Sequence, residues 1–81
     1  MRINVKLFAS VRERAGVAEL EIELPDGADV AAAADGLARQ APALRGHLAH
    51  IAFAVNRAYA TAKTPLNDGD ELAVIPPVGG G

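Results

Sequence analysis

The sequence predicts an α+β fold, a mixed sheet with one main helix packed across one face. Three observations carry that expectation. Residues 3–8 and 18–24 alternate apolar and polar side chains with the period of half-buried strands. Residues 30–40 repeat their apolar positions at helical spacing. The stretch from 51 onward returns to short β-type runs separated by turn residues. The chain of 81 residues has no repeat or internal linker, and that length is room for one small domain.

In order, "INVKLF" sets Ile3, Val5 and Leu7 on one face and Asn4, Lys6 and Phe8 on the other. "ASVRERAG" gives a helical turn or two closed by Gly16, where a left-handed C-cap costs least. "AELEIEL" points Leu20, Ile22 and Leu24 inward and Glu19, Glu21 and Glu23 outward, and Pro25-Asp26-Gly27 supplies a turn. Asp29 is the expected N-cap of a helix over "VAAAADGLARQ", with Arg39 at its favourable C-terminal end. Gly36 inside that helix costs about 1 kcal/mol relative to alanine, so the helix depends on packing. Pro42 ends it, and "ALRGHLAH" reads as irregular chain or a 3₁₀ turn. "IAFAVN" is a third strand, "AYATA" a short fourth, and Glu71 to Ile75 the last, stopped by Pro76 because proline cannot extend a ladder. The crossover from second to third strand leaves the first and last strands adjacent and parallel in the middle of the sheet. The globular domain is expected over 1–75, and 76–81 is expected to be a flexible C-terminal tail.

Composition narrows the function. Hydrophobic residues make up 51% of the chain but aromatics only 4%, so the core rests on Leu, Ile and Val. A formal net charge of −2 offers no field for nucleic acid and no polybasic membrane patch. Without cysteine there are no disulfides, no thiolate nucleophile and no Cys-type metal site, which suits a reducing cytoplasm. "MRINVKLFAS" lacks the apolar core of a signal peptide, and "IAFAVNRAYATA" is too short and polar to span a bilayer, so a cytoplasmic location is expected.

The side chains of the body offer no self-sufficient active site. Glu19, Glu21 and Glu23 face Arg2 and Lys6 and read as cross-strand pairs. His47 and His50 lack a third ligand, and "DGD" at 68–70 lacks the later bidentate glutamate of a calcium loop, so no metal site is expected. Two outward positions break the polar pattern. Phe8 shares the face of Asn4 and Lys6, and Ile75 shares that of Glu71 and Ala73. If the first and last strands are neighbours, these two lie side by side away from the helix. With Tyr59 they form a candidate partner surface at the root of the tail.

The tail "PPVGGG" reaches roughly 20 Å when extended. Pro76 and Pro77 stiffen its exit. Gly79, Gly80 and Gly81 have no Cβ and fit a channel only as wide as a backbone. A free α-carboxylate is a poor electrophile, but as an acyl adenylate it has a good leaving group, and sulfur can then be installed as a thiocarboxylate. The alternative for such glycines is a disordered end without function.

"LFASVRERAG" and "AVNRAYATAKTPLNDGDELAVIPPVGGG" resemble the small subunits of molybdopterin synthase, which are ubiquitin-like β-grasp sulfur carriers. The likeness spans nearly the whole chain, and Gly79 departs mildly from a position where serine or threonine is common. The resemblance implies that Gly81, with Gly80 beside it, is the reactive end: an ATP-dependent, ubiquitin-activating-like adenylyltransferase adenylates it, and a sulfur donor system converts it to a thiocarboxylate. It implies that the tail enters a large catalytic subunit that holds a pterin precursor, where two sulfur transfers build the dithiolene that binds molybdenum or tungsten, in a heterotetramer around a dimer of large subunits. It also implies partner contacts at Phe8, Tyr59, Ile75, Pro76, Pro77, Val78 and Gly79, no cofactor held by this chain, and a non-catalytic, sulfur-donating role. Carriers for thiamine or cysteine biosynthesis share the tail, though thiamine carriers are usually shorter and lack the "FASVRERAG" segment. A protein modifier joined through Gly81 to lysines, and a plain interaction domain, are the remaining readings.

Overall fold

The computed structural model describes residues 1–48 and 50–77. Its elements run β1 (Arg2–Leu7), α1 (Ala9–Ala15), β2 (Glu19–Glu23), α2 (Val30–Gln40), a 3₁₀ turn (Pro42–Leu44), β3 (Ala52–Val55), β4 (Ala58–Ala60) and β5 (Glu71–Ile75). The five strands order β2-β1-β5-β3-β4. β1 and β5 are parallel neighbours at the centre, as the crossover argument requires, and the other pairs are antiparallel.

The alternating segments deliver their inward residues to one core. Ile3, Val5 and Leu7 of β1, Ile22 of β2, and Leu72 and Val74 of β5 are buried against Val30, Ala33 and Leu37 of α2, with Leu24, Leu44 and Leu66 closing the edges. Leu20 is only half buried, because it sits where β2 begins at the sheet edge. An added methyl at Gly36 would meet Leu24 Cδ2 at 3.3 Å. The glycine that weakens the helix intrinsically therefore lets it lie close against the end of β2.

The N–H groups of Val30, Ala31 and Ala32 in the first turn of α2, which no helical carbonyl can reach, all find partners, and Ala33 makes the first helical bond. Val30 donates to Thr64 O at 3.0 Å and Ala31 to Ala62 O at 2.9 Å. Ala32 donates to the Asp29 carboxylate at 3.0 Å, the expected cap, and Ala33 to Asp29 O at 3.1 Å. This is also why the fourth strand is shorter than "AYATA" suggests. The carbonyl of Ala62 is used by the helix, and Thr61 begins a turn held by its N–H on Thr64 Oγ1 at 2.9 Å. α1 closes at Gly16 with φ 80°, as its sequence implies.

"NDGD" is turn chemistry put to tertiary use. Asp68 Oδ1 accepts from Arg2 N at 2.7 Å, and Gly69, at φ 85°, donates to Arg2 O at 2.8 Å. Asp70 accepts from Asn67 N at 2.8 Å and from the Asn56 amide at 2.9 Å, while Glu71 N donates to Asn56 Oδ1 at 3.0 Å. Both carboxylates are thereby used in joining β5 to β1 and to the β3–β4 hairpin.

Candidate functional site

The outward face of the sheet is set by register. One row crosses all five strands as Glu19, Lys6, Ala73, Ala54 and Tyr59. Lys6 Nζ lies 3.8 Å from Glu19 and 3.1 Å from Glu71, and Arg2 lies 3.5 Å from Glu23. The expected cross-strand pairs thus form at Glu19 and Glu23, whereas Glu21 stands opposite Asn4. The Arg2–Glu23 pair is exposed on both sides and contributes little to stability, whereas Lys6 and Glu71 are half-buried.

Toward the tail the face becomes apolar. Ile75 is opposite Ala52, and β1 and β5 match Leu7 with Val74, so the next register position sets Phe8 beside Ile75. Phe8 keeps an extended backbone, φ −126° and ψ 154°, which carries the strand's parity one residue further before α1 begins. It is 43% exposed, and Ile75 is half-buried. Tyr59, 80% exposed, shares the face but stands one strand further away, beyond Ala52 and Ala54.

Three contributors escape a reading by pattern alone. Leu7 N donates to Ala18 O at 2.9 Å, so continuing the β1–β2 register brings Val17, 45% exposed, opposite Phe8. Its position after α1 hides its strand parity, and only the exposed apolar side chain signals it. The buried Ala54 and Ala73 form a low floor between the larger residues. Their signal was smallness at two outward positions in an alanine-rich chain.

β5 stops at Ile75, and Pro76, half-buried, and Pro77, exposed, leave the sheet beside the apolar row. They border a small cleft of about 120 Å³ with Ser10, Val11 and Arg14 of α1, His47 of the loop after the 3₁₀ turn, and Ile51. Val78, Gly79, Gly80 and Gly81 lie outside the described residues. The structure therefore brings Phe8, Ile75, Pro76 and Pro77 together at one end of the sheet, with Tyr59 on the same face.

His47 and His50 are exposed, and among the described residues no group of three or more His, Asp or Glu side chains is placed to hold a metal ion. No helix among the described residues is long and apolar enough to cross a membrane.

Comparison with known proteins agrees with this arrangement. The model of the ThiS family matches residues 5–81. The molybdopterin synthase sulfur carrier subunit of Mycobacterium tuberculosis is 40% identical over 82 residues, covering 100% of this chain and 99% of the relative. SAMP1 from Haloferax volcanii superposes with a TM-score of 0.92 at 32% identity, covering 100% of both chains. A protein–protein complex of subunits 1 and 2 of the molybdopterin-converting factor from Helicobacter pylori contains a chain matching with a TM-score of 0.72 at 26% identity, again over 100% of both. A five-stranded mixed sheet grasping one long helix is the ubiquitin-like β-grasp fold, and by the match over nearly its whole length this chain belongs to the ThiS family.

Proposed function

We propose that this chain is the sulfur carrier and small subunit of a molybdopterin synthase. The observation that carries the proposal is end-to-end likeness to a molybdopterin synthase sulfur carrier subunit, 40% identical with 99% of that relative covered. The geometry supports it: the central strand β5 runs directly into Pro76 and Pro77 beside an exposed apolar row. The family match by itself leaves the acceptor of the sulfur open. The name of the relative favours the pterin over thiamine or cysteine biosynthesis.

In this reading the carboxylate of Gly81 attacks the α-phosphate of ATP held by an adenylyltransferase, releasing pyrophosphate and leaving an acyl adenylate. A sulfur donor system then displaces AMP and leaves a thiocarboxylate. Domain 1–75 acts as a handle, and 76–81 is a flexible tail that threads into the pocket of a large catalytic subunit. Val78 and Gly79 pass the wall of that pocket, and Gly80 and Gly81 reach the pterin precursor. The thiocarboxylate sulfur bonds to the pterin precursor, water cleaves the resulting thioester so that the tail departs as a carboxylate and the sulfur stays behind, and a second loaded carrier completes the dithiolene. Phe8, Tyr59 and Ile75 hold the large subunit; that there is such a partner is supported by the complex of subunits 1 and 2 from Helicobacter pylori. The assembly is a heterotetramer in the cytoplasm. This chain binds no cofactor, ATP belongs to the activating enzyme, and the acid–base groups belong to the partners.

The test is intact mass after incubation with ATP, the adenylyltransferase and a sulfur donor. Exchange of one oxygen for one sulfur at the C-terminus is expected, followed by its loss when the large subunit and pterin precursor are added. No mass change, under conditions that load a known carrier, would overturn the proposal. A second reading, a modifier joined to lysines through Gly81, draws on the likeness to small archaeal modifier protein 1. Cellular adducts of higher mass released only by an isopeptidase would favour it.

A further inference from the structure

The two free edges of the sheet differ. At the β2 edge Gln40 Nε2 donates to Glu21 O at 3.0 Å, and Glu19, Glu21 and Glu23 make a row of like charge. Both features turn away another strand. The β4 edge carries neither. Asn56 N donates to Glu71 O at 2.9 Å, so Ala52 and Ala54 turn their backbone groups to β5, while Phe53 and Val55 turn theirs to Ala60 and Ala58. The N–H and C=O of Tyr59, between those two, therefore point away from the sheet. Behind this edge, on the helix side, lies a groove of about 500 Å³ floored by Ala31, Ala34, Phe53 and Ala60 and bordered by Asp35 and Thr61. Two exposed charges stand near it, Arg57 and Asp35. Arg57 holds φ 72°, a conformation that suits glycine, and Asp35 lies in the middle of α2, past the first turn where a carboxylate meets the helix dipole. Neither makes an ion pair among the described residues, although Arg39 stands four residues after Asp35 on the same helix.

We infer that β4 is a contact between two copies of this chain, paired antiparallel about a two-fold axis through Tyr59, with Arg57 of each copy reaching Asp35 of the other. In that register Tyr59 exchanges both backbone hydrogen bonds with its counterpart, Ala58 faces Ala60, and Arg57 faces Thr61, which borders the same groove as Asp35. Charge selects a second copy as the occupant. The cation stands at one end of β4 and the carboxylate beside the other, so the two-fold brings opposite charges together twice, whereas a parallel pairing sets like beside like. β4 has only three residues, so the ladder is short and the dimer weak and reversible. β5 lies two strands inside this edge, which leaves Phe8, Ile75 and the root of the tail outside the contact. The pairing requires nothing of the sulfur chemistry proposed above.

The experiment is sedimentation equilibrium of the full chain from about 10 µM to about 1 mM. A monomer–dimer equilibrium is expected, and amide hydrogen exchange at Tyr59 should slow as the dimer fills. Arg57→Glu and Asp35→Arg should each raise the dissociation constant about tenfold or more, because each sets like charges together twice. The double variant, in which the two charges are exchanged, should return to within about threefold of the parent. Both positions are exposed, so thermal denaturation of the dilute monomers should show every variant folded. A monomer at all concentrations overturns the dimer. Exchange at Tyr59 that does not depend on concentration overturns the β4 contact. Single variants that dimerise like the parent, or a double variant that stays as weak as the single ones, overturn the pairing of Arg57 with Asp35.

Discussion

Asn56 and Arg57 turn the chain between β3 and β4 with both φ angles positive, 49° and 72°. That is the two-residue turn whose twist suits a hairpin, and it favours Asn followed by Gly. Asn56 meets the demand and uses its amide on Asp70 and the N–H of Glu71. Arg57 stands where glycine would be unstrained, at a cost of about 1–2 kcal/mol. Glycine there would lose more freedom on folding, which offsets part of the gain. Arg57→Gly is therefore expected to stabilise the domain by about 0.5–1 kcal/mol, a rise of a few degrees in Tm. A fall in Tm on thermal denaturation would mean that Arg57 makes a native contact outweighing its strain. At this scale the sequence is only half legible. Asn67 to Gly69 reads as a turn from local chemistry, but nothing local announces that Asp70 pairs with Asn56, because that contact exists only once β3 and β5 are neighbours.

Strand alternation makes the faces legible at the scale of elements. Ile3, Val5 and Leu7 are buried because one register satisfies all three at once, and a slip by one residue would expose them together. Element ends are less legible, since they depend on tertiary hydrogen bonds: Ala62 leaves β4 because α2 needs its carbonyl. The apolar row follows from parity carried to Phe8, whereas Val17 is hidden by the helix inserted between β1 and β2. Phe8 is also the N-cap of α1 and makes no side-chain capping bond. Phe8→Asp would thus remove an apolar contact yet supply a capping carboxylate. It is expected to weaken binding to the large subunit about tenfold or more, as loss of an aromatic anchor does. Folding stability should shift by about 1 kcal/mol or less, because Phe8 is already 43% exposed. Calorimetry giving unchanged affinity would remove the row from the interface.

For the whole molecule, topology sets two things beside each other that are 67 residues apart in sequence: Phe8, at the end of β1, and Ile75, at the end of β5. The parallel pairing of β1 and β5 sends both chains out of the same end of the sheet. The apolar row and the tail root are therefore neighbours by construction. Leu, Ile and Val fill the core, and in the function proposed above the body holds and presents its last strand. The fold class and this adjacency were legible because a short chain with one crossover has few ways to order its strands. The cleft beside Pro76 was not, because it joins α1 to a loop whose path no local pattern specifies. The central claim is that reactivity lies in the terminal glycine while the domain supplies recognition. Its most direct measurement is dithiolene formation by a synthase reconstituted with the chain lacking Gly81. The account predicts no product, with melting temperature and affinity for the large subunit equal to those of the complete chain. Product formed at an undiminished rate would contradict it.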